Sequence, residues 1–458
     1  MARRPLHRQL FSELRASIAG GTLRGGARLP STRDFAQQRG VSRKTAEEAY
    51  AQLEAEGYVE RRVGSGTYVC ELPLPAKRNA RLEGRRTLSA RGRTSGKSMA
   101  CVEPLEIRAF AAGLPALDHF PIATWQRLVS SHARRLDTSA LVYGDPAGDP
   151  ALREAVAAYL GGARGVHCDA SQIVIVSSSQ EALHLLAHLL IDPGDAAWLE
   201  EPGYYGARAA LTSAGARIVP VAVDDDGLDV AAGVALAPHA RVAYVTPSNH
   251  YPLGASMSLD RRLELLAWAR RSDAWIIEDD YDGEFRYDGR PLTAIQGLDP
   301  AGRVIYVGTF TKSLYPSLRL GYAVLPQDLV ASFVAARTQV DGHPPPFLQR
   351  VTADFITHGH FDAHLKRMRA LYRERRDVAV RLLSRHVELG PANAGFRVVA
   401  FTRGDDRDLA ARGARAGLDL PTLSRLYIGK PRHGLVLGYM GLTPHALAQS
   451  VKALAKLV

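Results

Sequence analysis

Five short apolar runs in the C-terminal part of the chain constrain its fold more than any other feature. They are "QIVIV" (172–176), "RVAYVTP" (241–247), "WIIEDDY" (275–281), "RVIYVGTF" (303–310) and "GYAVLP" (321–326). Each is continuous and rich in β-branched residues instead of alternating with polar ones. Strands read this way when both faces are covered, as in a largely parallel sheet. Helical stretches such as "SQEALHLLAHLL" and "DRRLELLAWARRS" stand between several of them. From about residue 108 onward the pattern predicts an α/β domain. In open α/β sheets ligands collect outside the carboxyl ends of the strands, so the residues that follow these runs are the site candidates.

Those residues match the needs of one cofactor, pyridoxal phosphate. It requires a lysine to hold its aldehyde as a Schiff base. It requires a carboxylate beside the pyridine nitrogen to keep the ring an electron sink. Its phosphate requires helix-start N–H groups, hydroxyls and an arginine, and its ring an aromatic face. Lys312 is the lysine candidate, Asp279 the carboxylate, and Tyr281 a donor to the ring hydroxyl. Ser178, Ser179 and Gln180 lie where a strand turns into a helix. Thr309 and Arg319 flank the lysine for the same phosphate, and Tyr204 in "EEPGYYG" offers the ring. Taken singly, each has a plain alternative. Lysines are mostly solvated, Glu278, Asp280 and Asp282 make Asp279 one acid of a cluster, Ser178 and Ser179 can simply cap a helix, and Tyr204 can be a core aromatic. The ordered set at successive strand ends favours the site.

The N-terminal segment reads differently. Leu6, Leu10, Leu14 and Ile18 form one helical stripe, with Pro5 before it and Gly20-Gly21 after it. Ser31, with Asp34 three residues on, caps a second helix that Gly40 ends. Ser42 caps a third, whose Ala46, Ala49, Tyr50 and Leu53 face inward. Two short helices joined by a glycine turn suit a helix-turn-helix. Its second helix would read base edges in the major groove of double-stranded DNA through Arg43, Lys44 and Thr45. Ser31, Thr32 and Arg33 at the preceding helix start, and Ser42, complete that candidate surface. "YVERRVGSGTYV" follows as two strands around Gly64-Ser65-Gly66, a wing with Arg61 and Arg62 near phosphates. The alternative is a small helical subdomain with solvated charges.

Residues 73–105 are basic and poor in apolar residues. Over residues 73–99, Lys77, Arg78, Arg81, Arg85, Arg86, Arg91, Arg93 and Lys97 stand against one acid, Glu83. Such a segment buries too little to fold alone and reads as a flexible linker, either a solvated spacer or a tether that also touches the DNA backbone. Over the chain, 58 Lys+Arg against 47 Asp+Glu give +11, a weak pointer to polyanions. Three dispersed cysteines argue against a disulfide framework or a zinc site, and no metal is expected. No apolar run is long enough to span a membrane, and "MARRPLHRQL" lacks a signal-peptide core, so a cytoplasmic protein is expected.

Residues 6–69, through "GGARLPSTRDFAQQRGVSRKTAEEAYAQLEAEGYVERRVGSGTYV", resemble the winged helix-turn-helix of GntR-type bacterial regulators. Residues 108–458 resemble fold-type I aminotransferases through "LVYGDPAGDPALREAVAAYL", "SSSQEALHLL", "EEPGYYG", "TPSNHYPLG", "IIEDDYDGEFRY" and "GTFTKSLYPSLRLGY". The combination resembles the MocR subfamily of GntR regulators. That resemblance implies domains at 1–72 and 106–458 around the linker, a smaller C-terminal α+β subdomain, and a domain-swapped homodimer. It also implies that Lys312 forms the aldimine, Asp279 pairs the pyridinium and Tyr143 reaches the phosphate of the neighbouring subunit. Three departures stand out. Ser178 replaces the usual glycine of the phosphate turn. Asn249-His250 replaces a commoner His-Gln, leaving the ring contacts of Asn249 open. Val436 in "GLVLGYM" stands where aminotransferases carry the arginine for a substrate carboxylate, with Arg425, Lys430 or Arg432 as candidate substitutes. The expected function is a transcription regulator that senses a small amine, or pyridoxal phosphate itself, through Lys312. The rival is an aminotransferase with a vestigial DNA-binding head.

Overall fold

The computed structural model describes residues 5–71, 87–97, 108–288 and 292–458. The chain divides into two compact units, Met1–Leu88 and Ser89–Val458.

The smaller unit contains α1 (Leu6–Ala19), α2 (Thr32–Arg39), α3 (Arg43–Ala55), β1 (Val59–Arg62) and β2 (Gly66–Val69). Its core joins Leu10, Phe11, Leu14 and Ile18 of α1 to Phe35, Ala46, Ala49, Tyr50 and Leu53. Leu6 departs from the expected stripe. It begins the helix and stays 59% exposed, and Phe11 completes the buried face instead. Gly40 ends α2 at φ 61°, the left-handed conformation that favours glycine. The Tyr50 hydroxyl donates to Pro30 O at 3.0 Å and so anchors the segment entering α2 against α3. β1 and β2 pair antiparallel, Val59 opposite Val69 and Arg62 opposite Gly66, to make the wing.

The larger unit is built on an eight-stranded sheet. Its strands are β3 (Ile173–Val176), β4 (Ala196–Glu201), β5 (Arg217–Asp224), β6 (Gly227–Leu228), β7 (Val242–Val245), β8 (Trp275–Asp280), β9 (Val304–Thr309) and β10 (Gly321–Val324). They lie in the order β3-β10-β9-β8-β7-β4-β5-β6. The neighbours from β9 through β5 are parallel, while β10 runs antiparallel to both β9 and β3. The period of two explains the continuous apolar runs. Val174, Val176, Tyr244, Ile277, Ile305 and Val307 pack with helices Ser179–Leu190 and Tyr205–Ala214 on one face. Ile173, Ile175, Tyr306 and Tyr322 on one side, and Trp198, Ala243, Val245 and Ile276 on the other, fill the opposite face.

A smaller antiparallel sheet of β11 (Glu388–Leu389), β12 (Arg397–Phe401) and β13 (Gly434–Gly438) lies with helices His360–Leu383, Asp406–Arg415 and Pro444–Leu454, forming the C-terminal α+β part. Within the span read as a linker, a helix occupies Ala90–Lys97 and packs on helix Tyr205–Ala214. Lys77, Arg78, Arg81, Arg85 and Arg86 lie outside the described residues. Among the described residues no helix is long and apolar enough to cross a membrane.

Candidate functional site

Strand direction gathers the phosphate candidates. Gly321 opens β10 opposite both Val176, the last residue of β3, and Thr309, the last of β9. An antiparallel strand between two parallel ones starts where they end, so Ser178, Ser179, Thr309 and Arg319 meet at one rim. A Cβ placed on Gly321 would stand 3.5 Å from Ser179 N and 2.9 Å from Gly308 O. Ser178 caps helix Ser179–Leu190 by accepting from Glu181 N at 3.1 Å. The helix-start N–H groups of Ser179 and Gln180 lie at the positive end of its dipole. Ser178 has φ −171°, extended backbone open to any residue, so the missing glycine introduces no strain. Arg319 is exposed and holds φ +53° just before β10.

Lys312 sits in the short helical turn Phe310–Ser313, which Thr309 caps by accepting from Thr311 N at 3.1 Å. The Lys312 amine donates to Gly113 O at 2.9 Å. Gly113 has φ +86°, and a Cβ there would stand 2.8 Å from Lys312 Nζ, so glycine is needed for this approach. Asp279, on β8, lies opposite Val307 of β9. Its Oδ2 accepts from the Tyr244 hydroxyl at 2.7 Å, while Oδ1 is buried without a hydrogen-bond partner. Burial pushes the carboxyl up to about 7, against the Tyr244 hydrogen bond and the charge of Lys312, which pull it down. A buried acceptor with one unused oxygen fits a protonated ring nitrogen, so the residues present suit the pyridine ring of pyridoxal phosphate.

The neighbouring acids are not solvated charges. Glu278 accepts from Ile295 N and Gln296 N at 2.9 and 3.0 Å. Asp280 forms a buried ion pair with Arg164 at 2.7 Å and takes the Tyr306 hydroxyl at 2.6 Å. Asp282 accepts from Asn249 Nδ2 at 2.8 Å. Alternation along β8 therefore separates Asp279 from two acids spent on structure.

Tyr281 donates to Asn249 O at 2.6 Å and accepts from Arg397, and burial holds its phenol well above the ordinary value. Asn249 thus enters through its carbonyl and through Asp282, with Oδ1 buried and unpartnered. His250 lies 3.7 Å from Glu200, yet burial pushes the imidazole down to about 3 and the carboxyl up to about 8. Both are neutral near pH 7, so this contact is not an ion pair. Tyr204 starts helix Tyr205–Ala214, and its hydroxyl reaches Gln180 Oε1 at 3.4 Å. Its ring meets Tyr251 edge-on at 5.7 Å, and Tyr251 in turn meets Tyr281 at 6.3 Å.

Tyr143 stands apart. It is 94% exposed, next to exposed Leu141 and Val142. Val436 is fully buried. Of the candidate substitutes, Arg425 and Lys430 are exposed, and Arg432 pairs with Glu388 at 2.9 Å. Sequence reasoning missed Arg397, a buried arginine inside this aromatic group, because "FRVVAF" reads as an ordinary strand. It also missed Tyr244 and Gly113. An aromatic hydroxyl inside an apolar run was the available signal for Tyr244.

In the smaller unit, Ser31 accepts from Asp34 N at 3.2 Å and donates to its carboxylate at 2.7 Å. Ser42 accepts from Thr45 N at 3.1 Å. Ser31, Arg33, Ser42, Arg43 and Lys44 are exposed, with Thr32 and Thr45 half-buried, so the two helix starts present one polar, basic surface. Gly64, at φ +76°, and Ser65 form the exposed wing tip. The wing arginines differ. Arg62 pairs with Glu60 on its own strand and lies over the Tyr68 ring at 4.8 Å. Arg61 reaches back to Glu47 and to Glu54, the latter at 2.9 Å, both on α3. A phosphate contact from Arg61 would compete with two carboxylates.

The family of aminotransferases class I and II matches residues 110–416, and the gntR family of bacterial regulatory proteins matches residues 6–69. The chain is 43% identical to the probable rhizopine catabolism regulatory protein MocR of Rhizobium meliloti, over 98% of this chain and 93% of that protein. It is 34% identical to the HTH-type transcriptional regulator TauR of Rhodobacter capsulatus, over 98% and 95%. The larger unit is similar to the crystal structure of Pyrococcus horikoshii kynurenine aminotransferase in complex with PMP, with a TM-score of 0.72 and 26% identity over 83% of this chain and 96% of that one. With a GntR winged helix-turn-helix ahead of an aminotransferase class I and II domain, the chain belongs to the MocR-type transcription regulators.

Proposed function

We propose that this regulator binds pyridoxal phosphate through Lys312 and uses it to sense a small primary amine. When bound, the cofactor supplies an aldehyde that condenses with amines and a ring that draws electrons. Lys312 would hold it covalently and yield to an incoming amine. Asp279 would accept the ring N–H, Tyr281 and Asn249 would orient the ring oxygen, and Tyr204 would cover one ring face. Ser178, Ser179, Gln180, Thr309 and Arg319 would hold the phosphate. The observation that carries this reading is Asp279 Oδ1, buried and unpartnered on the strand beside the one that leads to Lys312.

Loss of the Lys312 contact to an amine would bias closure of the larger unit and so the placement of the DNA-reading heads in a homodimer. The exposed Leu141, Val142 and Tyr143 support a subunit face at which Tyr143 serves the neighbour's phosphate site. The heads would read double-stranded promoter DNA through Arg43 and Lys44. A cytoplasmic location follows from that role. The MocR relative is named for control of a catabolic pathway, which supports an effector that is itself broken down.

Borohydride reduction followed by peptide mass analysis tests the reading. A pyridoxyl adduct should appear on the Lys312 peptide, and Lys312→Ala should abolish both the adduct and the visible absorption band. An unmodified Lys312 in cofactor-saturated protein would refute it. Apolar Val436 favours a second version, in which the cofactor is itself the signal. Amines would then leave the spectrum and DNA affinity of the loaded protein unchanged. Product accumulating beyond one equivalent of cofactor, with an amino donor and a keto acceptor, would instead make the chain an aminotransferase with a DNA-binding head.

A further inference from the structure

Val436 is sealed in an apolar cluster with Val399, Leu423 and Leu426, against which Tyr205, Tyr251 and Tyr427 pack. A ligand anion reaching that position would meet no cation. The register of the small sheet supplies one nearby. Val399 lies opposite Val436, and Arg397 lies opposite Gly438. Residues two apart on a strand share a face with their cross-strand partners. Arg397 is therefore on the same face as Val436, one strand over and one repeat along.

Its surroundings are unusual for a buried guanidinium. The group lies over the Tyr251 ring at 4.4 Å and the Tyr281 ring at 5.0 Å, and it donates to the Tyr281 hydroxyl. The nearest carboxylate oxygen, Asp282 Oδ2, is 3.8 Å away and already accepts from Asn249 at 2.8 Å. The Arg397 Nε–H is buried and makes no hydrogen bond among the described residues. A guanidinium carries five N–H groups in a planar fork matched to carboxylates. Here a phenol and two ring faces hold it, and among the described residues its one carboxylate contact is the long one to Asp282. A cation buried in this way leaves a binding deficit that an incoming anion removes.

The same contacts tie Arg397 to the amine end of the pocket. Tyr281, its partner, lies two residues beyond Asp279 and donates to Asn249 O. We propose that Arg397 recognises the anionic group of the effector, and that the effector is a primary amine carrying a carboxylate or similar anion. The proposal rests on the reading of Lys312 as the amine-exchanging residue.

The test uses the full chain saturated with pyridoxal phosphate, followed by its visible spectrum and by calorimetry. α- and ω-aminocarboxylates of increasing length are titrated beside the matching alkylamines and amino amides. At one length or more the carboxylate should bind at least about 10-fold more tightly than both neutral counterparts. Arg397→Gln should weaken that carboxylate by about 30-fold and leave the alkylamine within about threefold, while Arg397→Lys should keep part of the preference. The amide comparison needs no variant, so it decides the matter even if Arg397→Gln fails to fold. Equal binding of carboxylate, amide and alkylamine at every length would overturn the proposal, as would a carboxylate preference surviving in Arg397→Gln. Absence of the visible band in the wild-type protein would overturn the reading of Lys312 instead.

Discussion

Asp279→Asn should separate what the cofactor site needs from what the fold tolerates. Burial lifts the Asp279 carboxyl from 3.8 to about 7. A carboxyl whose folded value is raised keeps its proton in the folded chain after the unfolded chain has released it. Its contribution therefore favours folding at low pH, falls away as pH climbs from about 4 to about 7, and is constant above that. At about 1.4 kcal/mol per pH unit, ionising Asp279 costs the cofactor-free protein about 4 kcal/mol of stability across that window. Asparagine cannot ionise, so the variant lacks this dependence. Glu278 and Asp282 have raised values of their own, but they are common to both proteins and cancel in the difference; Glu200, raised to about 8 by burial and in part by the charge of Asp279, titrates above that window. The assay is urea unfolding of cofactor-free protein at several pH values, followed by tryptophan fluorescence. All four tryptophans lie in the larger unit, so the smaller one does not contribute to the signal. The variant's stability relative to wild type should rise by about 4 kcal/mol between pH 4 and pH 7 and then level off. The same substitution should weaken pyridoxal phosphate binding by about 2 kcal/mol, because an amide presents no anion to the ring N–H. A stability difference that does not change with pH would refute the reasoning.

Four further outcomes can be checked. Arg43→Ala or Lys44→Ala should cost about 1–3 kcal/mol in operator binding and relax specificity at one position, as read by fluorescence anisotropy on operator and scrambled duplexes. Arg62→Ala should lower affinity for all sequences and reduce the salt slope by about 1. Arg61→Ala should leave that slope nearly unchanged and destabilise the head by no more than about 1 kcal/mol, because its partners are the α3 carboxylates and the pair is partly exposed. Gly113→Ala should displace the Lys312 amine and reduce the fraction of Lys312 trapped by borohydride, with the thermal unfolding of the smaller unit unaffected.

Sequence made the strand ends legible for a physical reason. A strand covered on both faces reads as an unbroken apolar run, and the polar residue that ends it marks the rim. Lys312, Asp279, Ser178 and Thr309 were located that way. Helix starts were equally readable, because Ser31 and Ser42 act through neighbours three residues on. Arg397 was hidden because its partners, Tyr251, Tyr281 and Asp282, are more than a hundred residues away along the chain. Arg61 looked like an outward-facing charge because the acids that bind it sit on another element. Tyr143 had no local signal at all, and only the family resemblance singled it out.

Reversal of a single strand sets a tolerance on chain length. The loop from Phe310 to Leu320 leaves the sheet at the end of β9 and re-enters it beside the same strand, pinned at both ends by Thr309 opposite Gly321. Lys312 and Arg319 ride on that loop like the two jaws of a caliper. Adding one residue between them would spread the jaws without moving either hinge, whereas the Gly302 turn outside the hinges has no such gauge to keep.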